Sequence, residues 1–398
     1  MPKKTIPTLA LSLLTISIFL GAWTELHINR DLASDLTLYL RAGDLAVRGL
    51  NPYQLVDTGL AFIYPPVALL LFTPLSQFPE AEPLWLSVGL VSLGLTEAIL
   101  LYATRARWNN LHVVGLTFGI LLFAPSLEEL TVGQVNNLVL LGVAAFLLGM
   151  VDDRFSWVGD FGLAVAISLK ISPIILAAVP VAAMDVKRSL RIVGFIGLFV
   201  VASVLFFGFG QWMEFAHVLP WIFHDAPTPF NEALLPTLGR LVGPLLVHVD
   251  PPATGRLLGV LLITLWLVSL LALRVRHIAP GALLSLGVAT MTISSPLVWF
   301  HHLVFLLLPV LYLTLTLDTS HKTDQVMAVL LLAGIVAINA SRLVETRIGV
   351  PLGAIAGYFA IYVASGVGLF SPTFRHGSGN CLEPGPKKGF GKLSSLPG

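Results

Sequence analysis

"PLWLSVGLVSLGLTEAILLYAT", residues 83–104, is an apolar run long enough to cross a membrane as a single helix. About 20 such residues are needed to traverse the hydrocarbon core. Comparable runs recur from end to end: 56% of the 398 residues are hydrophobic and only 11% are charged. A soluble chain of this size could not hide so much apolar surface. The sequence therefore predicts an all-α polytopic membrane protein. The net charge of +1 provides no basic field for nucleic acid. The one cysteine, Cys381, excludes intrachain disulfides and thiolate metal clusters.

Working outward from 83–104, further segments are expected at 111–127, 135–151, 157–170, 173–184, 191–210, 256–274, 281–299, 302–318, 325–341 and 351–371. An N-terminal run from Thr8 to about Leu26 reads as a retained first span, since no small-x-small cleavage pattern follows it. Together they make about 12 transmembrane helices. The pieces 157–170 and 173–184 are too short to cross singly and read as a broken hairpin turning at Lys170-Ile171-Ser172-Pro173. "PPVALLLFTPLSQFP", 65–79, is short and proline-rich, and is expected as an amphipathic juxtamembrane helix lying at the membrane surface.

With these spans the basic residues sort to one side: Lys3 and Lys4, Arg105 and Arg107, Arg154, Lys187, Arg188 and Arg191, Arg274 and Arg276, Lys322, and Lys387 and Lys388. By the positive-inside rule that side is cytoplasmic, and both termini lie there. The other side receives 27–82, 128–134, 211–255, 300–301 and 342–350. Residues 1–371 are expected as one integral-membrane domain, with 372–398 a disordered cytoplasmic tail rich in Gly, Pro, Ser and Lys.

The unusual polar residues gather on the external side. The first loop holds Asp31, Asp35, Asn51-Pro52-Tyr53 and Tyr64-Pro65-Pro66; the second holds "GQVNN", 133–137, with Gln134 and Asn136. The long loop carries "FNEALLPTLGRL", 230–241, with Asn231 and Arg240, besides His217, His224 and His248. "SSPLVWFHH", 294–302, ends in His301 and His302, and Lys170 sits at the hairpin turn. Ionisable groups at membrane depth are costly and face protein interior or a wet cavity. Their convergence points to a polar site at the external surface.

Residues 34–48 illustrate the choice each candidate presents. As a helix they place Thr37, Arg41, Asp44 and Arg48 on one face, and Leu36, Tyr39, Leu40, Ala42, Gly43, Ala46 and Val47 on the other. Asp35 falls within the apolar face. It is either a first-turn acid behind a Ser34 N-cap or a carboxylate with chemical work. The Asn-Pro-Tyr and Tyr-Pro-Pro stretches read equally as turn punctuation, and "GQVNN" as a helix cap. Lys170 is poorly placed to snorkel. No metal-ligand spacing and no phosphate-cradling glycine loop is present, so no metal and no cofactor is expected.

The ordered series "D…Y…A…G.NPY", "YPP", "GQ.N", "K..P", "N…L…R" and "SP..W.HH", over about residues 31–310, resembles glycosyltransferase family 87. That family comprises polyprenol-phosphate-mannose-dependent mannosyltransferases of the GT-C superfamily, among them mycobacterial phosphatidylinositol-mannoside mannosyltransferases. Two departures stand out: Asn-Glu-Ala-Leu at 231–234 replaces the common Asn-Gln-Ser-Leu, and Leu297-Val298 stand where a serine often precedes the tryptophan.

The resemblance implies a GT-C-type fold and an inverting hexosyltransferase. Its donor is a lipid-linked sugar and its acceptor a glycolipid or glycan at the external face of a bacterial plasma membrane. It places the catalytic base at Asp35, with Asp31 as the alternative. Arg240, Lys170, His301 and His302 become candidates for the donor phosphate. Asn51, Tyr53, Tyr64, Gln134, Asn136 and Asn231 would bind substrate or shape the loops. A multi-span transporter or flippase, and a glycan polymerase or ligase, are the competing readings. No internal repeat supports the transporter.

Overall fold

The computed structural model describes residues 5–28, 33–54, 62–105, 110–223, 231–233, 237, 251–274, 278–348 and 351–374. All regular structure among them is helical. In chain order the α-helices are α1 (Thr5–Ile28), α2 (Ser34–Val47), α3 (Leu69–Leu75), α4 (Ala81–Thr104), α5 (Asn110–Leu121), α6 (Ala124–Val132), α7 (Asn136–Val151) and α8 (Ser156–Leu169). They continue with α9 (Ala178–Ala182), α10 (Val186–Phe207), α11 (Gly210–Phe223), α12 (Pro251–Arg274), α13 (Pro280–Ile293), α14 (Leu307–Thr316), α15 (Lys322–Ile348) and α16 (Leu352–Gly368).

Within the described residues, 81–104, 186–207 and 322–345 are long and apolar enough to cross a membrane. Residues 113–121 and 124–132 pass the same test as a pair bent by 60°. The protein is an all-α integral membrane protein. The side chains of α10 show how such a helix is used: Leu190, Val193, Leu198, Leu205 and Phe206 all stand outward, exposed. In a bilayer these positions meet lipid rather than water.

Several expected elements take a different form. The span expected at 111–127 breaks at Phe123, whose extended backbone precedes Pro125 in the first turn of α6. The helix expected at 281–299 stops at Ile293, and 300–306 form a 3₁₀ segment rather than a loop and a helix start. Residues 65–79 are not one continuous helix. Pro66–Ala68 form a 3₁₀ turn leading into α3, and Leu69, Phe72 and Leu75 are buried against α2. Pro74, Gln77, Phe78 and Pro79 are exposed on its other side.

Lys187 and Arg188 lie inside the first turns of α10 instead of in a loop, about one turn ahead of Arg191. Asp160, fully buried on α8, pairs with Arg188 and Arg191, each at 2.7 Å. The tail expected to be disordered from 372 begins in order: Ser371 and Thr373 hydrogen-bond to Asp324, and Phe374 is buried. Residues 375–398, with Lys387 and Lys388, lie outside the described part.

Small residues let α7 and α8 pack closely. A Cβ at Gly159 or Gly162 of α8 would come within 2.8 Å of the Ala145 or Gly142 carbonyl on α7. Backbones that approach this closely gain dispersion contacts where no hydrophobic driving force acts between helices. The α7–α8 pair thereby carries residues from both its ends, Asn136 and Lys170, to one place.

Candidate active site

The site forms where α2, the α6–α7 junction, the end of α8 and the 296–302 segment converge. Helix α2 runs almost as the sequence predicts. Leu36, Tyr39, Ala42 and Gly43 are buried, while Thr37, Arg41 and Arg48 are exposed and Arg48 pairs with Asp44 at 2.9 Å. Val47 of the apolar face is exposed at the helix end. Ser34 is not its cap. Ala33 occupies that position in the left-handed conformation, and its N–H donates to the Thr131 carbonyl at 2.7 Å.

That bond ties the start of α2 to α6. Gly133 completes the junction: its φ of +74° ends α6, and a Cβ there would sit 2.7 Å from the Leu36 Cβ. A left-handed backbone and a close neighbour both require glycine. The Gly133 carbonyl accepts the Trp85 indole N–H at 2.8 Å. With the loop fixed this way, Gln134 and Asn136 project from the N-terminal end of α7.

Gln134 Nε2 donates to Asp35 Oδ2 at 2.5 Å, and its Oε1 accepts the Tyr64 hydroxyl at 2.8 Å. Since the Tyr64 proton is used there, the 2.8 Å contact between the Tyr39 and Tyr64 hydroxyls has Tyr39 as donor. Tyr53 in turn donates to the Tyr64 carbonyl at 2.8 Å, and Asn51 Oδ1 accepts the Tyr53 N–H at 2.8 Å in an Asx turn. Asn51 and Tyr53 thus shape the first loop, and Tyr64 and Gln134 reach the carboxylate. Burial pushes the Asp35 carboxyl up to about 6, against the lowering effect of the Gln134 hydrogen bond and the Lys170 charge.

On the other side of the same loop, Lys170 Nζ donates to Asn136 Oδ1 at 2.8 Å and lies 2.7 Å from His302 Nε2. Lys170 ends α8 with an extended backbone, as the hairpin turn requires. The Phe305 ring centre lies 5.5 Å from its Nζ. His302 is steadied by the Trp299 N–H at its Nδ1, 3.2 Å away. His301 is buried edge-on to His302, at 4.7 Å between rings, and its Nε2 has no hydrogen-bond partner among the described residues.

Asn231 is a staple. Its Oδ1 accepts the Ala233 and Val298 N–H groups at 3.0 and 3.1 Å, and its Nδ2 donates to the Pro296 carbonyl at 3.1 Å. It holds the 296–298 segment against the long loop. His217 is exposed on α11, 3.9 Å from Glu214. Asp31, Arg240, His224 and His248 lie outside the described residues.

A cavity of about 270 Å³ opens beside these groups. Lys170, His302, Tyr64, Ser172, Ser294 and Ser295 form its polar part; Ile171, Ile174, Ile175, Leu219, Ile263 and Met291 form an apolar wall. Ile174 is 52% exposed, so that wall continues to the outer surface. Such a site can hold an anion at one end and a hydrocarbon at the other. No group of three or more His, Cys, Asp or Glu among the described residues could hold a metal ion.

Sequence reasoning missed two carboxylates. Glu129 is buried on α6, where its oxygens accept Asn136 Nδ2 at 2.7 Å and the Asn137 N–H at 3.1 Å. Glu128, next to it, points the other way and meets Arg342 at 2.7 Å. Arg342 also contacts Glu25, Glu232 and Glu345 at 3.0–3.6 Å and covers the Phe300 ring at 4.6 Å. Adjacent acids just ahead of "GQVNN" in a chain so poor in charge were the available signal.

Residues 62–298 match the family model described as Glycosyltransferase family 87. The matched part holds Tyr64, Gln134, Asn136, Lys170 and Asn231, and leaves Asp35, His301 and His302 outside it. No curated protein matches the chain.

Proposed function

The chain belongs to glycosyltransferase family 87, and from that premise we propose that it moves a hexose, mannose first, from a polyprenyl-phosphate-sugar donor to an acceptor hydroxyl. Transfer would proceed with inversion at the extracytoplasmic face of a bacterial plasma membrane, within a bundle of about 12 spans. The observation that carries this reading is the two-ended cavity. Lys170 and His302 mark its polar end, and an isoleucine-rich wall leads from there to the surface. A phosphate on a hydrocarbon tail matches both ends at once.

In this reading the acceptor oxygen attacks the anomeric carbon and Asp35 takes its proton. The bond from that carbon to the phosphate oxygen breaks, and its electron pair leaves with polyprenyl phosphate. Lys170 and His302 offset the charge that develops on the departing oxygen. Partial burial suits the base role, because a carboxyl titrating near 6 accepts a proton more readily than one near 4. Tyr64 and Gln134 link the carboxylate to the cavity, and Asn136 holds the Lys170 amine. Arg240 is a further candidate for the phosphate, and Asp31 the alternative base. The acceptor is a glycolipid or glycan.

The test is transfer from radiolabelled polyprenyl-phosphate-mannose by purified protein in liposomes with an extract of envelope glycolipids. Labelled product is expected. Unlabelled polyprenyl-phosphate-mannose should compete, and polyprenyl-phosphate-glucose or -arabinose should compete poorly. Stronger competition by another sugar would replace mannose, and no product from any lipid-linked sugar would overturn the donor assignment.

A further inference from the structure

Glu129 is fully buried, touches no part of the cavity and has no part in the proposed reaction. Its two bonds differ in kind. The one from the Asn137 N–H serves the first turn of α7, where a carboxylate is favoured by the helix dipole. The one from Asn136 Nδ2 serves no backbone group.

That second bond decides which way the Asn136 amide faces. The Trp299 N–H at Nδ1 leaves the His302 proton on Nε2, so the Lys170 amine accepts there and has only N–H groups to offer Asn136, while both Glu129 oxygens accept. Asn136 must therefore turn its Nδ2 to Glu129 and its Oδ1 to Lys170, as the 2.7 and 2.8 Å contacts have it. The flipped amide would set acceptor against acceptor on one side and donor against donor on the other. Lys170 carries its amine on a flexible four-carbon stem, and beyond it the chain of contacts ends on His302 at the cavity wall.

The geometry points to Glu129 as a positioning residue: through Asn136 it holds the Lys170 amine where the phosphate of a lipid-linked donor arrives. This rests on the transferase reading above. Glu129 touches no substrate. Its replacement by glutamine keeps an acceptor for the Asn137 N–H but presents an NH₂ to Asn136, which must then flip and turn its own NH₂ towards Lys170. Adding Asn136→Asp reverses the polarity of the pair. The glutamine then donates to a carboxylate at 136, and that carboxylate accepts from Lys170.

Three proteins decide the matter: wild type, Glu129→Gln, and the double variant Glu129→Gln with Asn136→Asp. Each is assayed for binding of decaprenyl phosphate in detergent micelles, for sugar transfer, and for thermal unfolding. Glu129→Gln is expected to weaken phosphate binding and raise the donor KM roughly tenfold to a hundredfold, the range for a lost charge-assisted bond. The acceptor KM and the unfolding temperature should change little, and the double variant should recover most of the loss. Glu129→Gln binding as tightly as wild type, or a folded double variant no better than the single one, overturns the inference. Wild type that binds decaprenyl phosphate but transfers no sugar overturns the proposed function and leaves the Glu129 comparison readable by binding. Wild type that binds none overturns both.

Discussion

Gln134 and Asn136, two residues apart, face opposite kinds of partner: Gln134 gives an N–H to the Asp35 carboxylate at 2.5 Å, and Asn136 accepts from the Lys170 amine at 2.8 Å. Each amide shows the end that its partner's chemistry demands. One short loop, fixed by Gly133 and the start of α7, therefore separates an acid from a base and orients both. The displacement proposed above would use that separation, because its proton acceptor and leaving group stand on opposite sides of the reacting carbon.

Asp35→Asn is expected to reduce sugar transfer by about 10²–10⁴-fold, the usual worth of a general base. The fold should survive, since the asparagine carbonyl still accepts from Gln134. Initial rates in liposomes check this. A variant with full activity would remove Asp35 from the reaction and make Asp31 the residue to replace next.

The rate should fall on the acid side. Burial lifts the Asp35 carboxyl from its ordinary 3.8 to about 6. A base must be ionised, so kcat/KM should decline as pH drops through about 6. Gln134→Leu removes the hydrogen bond that favours the carboxylate, and the acid limb should then move to higher pH. An unmoved limb, with the variant still active, would detach Gln134 from the base.

The same carboxyl should cost stability at neutral pH. Its folded value lies above its unfolded one, so its contribution is fully present below 3.8 and is lost as pH rises through about 6. Above that, Asp35→Asn should unfold later than wild type, by at most about 3 kcal/mol. The gap should close on acidification towards pH 4. Thermal unfolding in detergent at several pH values measures it, and a variant less stable than wild type at neutral pH would contradict the assignment.

Gly133→Ala should both destabilise the protein and depress transfer. It forces a side chain into a left-handed backbone and sets a Cβ 2.7 Å from that of Leu36. A cost of roughly 1–3 kcal/mol is expected for such strain, and Gln134 would be displaced from Asp35. Gly49→Ala is the control: its φ is +69°, but nothing lies within 4 Å of the added atom. Equal losses from the two substitutions would show that backbone strain alone explains the effect.

Arg342→Met should be among the most damaging changes away from the cavity. One guanidinium, 14% exposed, meets the carboxylates of Glu25, Glu128, Glu232 and Glu345. Removing the partner of buried charges typically costs about 3–5 kcal/mol. Glu345→Gln should be tolerated, because the cluster holds more acid than base. Expression yield and unfolding temperature of the two variants test this, and the reverse ranking would refute it.

Local pattern carried much of the fold. The apolar run at 83–104 became α4, and the face of α2 with Thr37, Arg41 and Arg48 is the exposed one. Lys170 sits at a helix end before a proline turn, as its neighbours Ser172 and Pro173 suggested. The site was legible in part. Asp35 disturbed the periodicity of an amphipathic helix, and Gln134 and Asn136 stood out in a polar loop. Their division of labour was not legible, because the partners of Gln134 and Asn136 lie 99 and 34 residues away.

Arg342 and its acids show the limit most clearly. Glu128 and Arg342 are 214 residues apart, and nothing near either residue names the other. Asn231 was expected to bind substrate or to shape a loop, and its bonds to 296–298 are visible only once two distant loops are seen in contact. What the sequence determined by itself was that this chain lives in a membrane as helices. Apolar burial and internal backbone hydrogen bonding add up residue by residue along one segment. What only the tertiary structure decided was which carboxylate, amide and amine meet. Those pairings come from the close packing of helices far apart in the chain, and no local sum contains them.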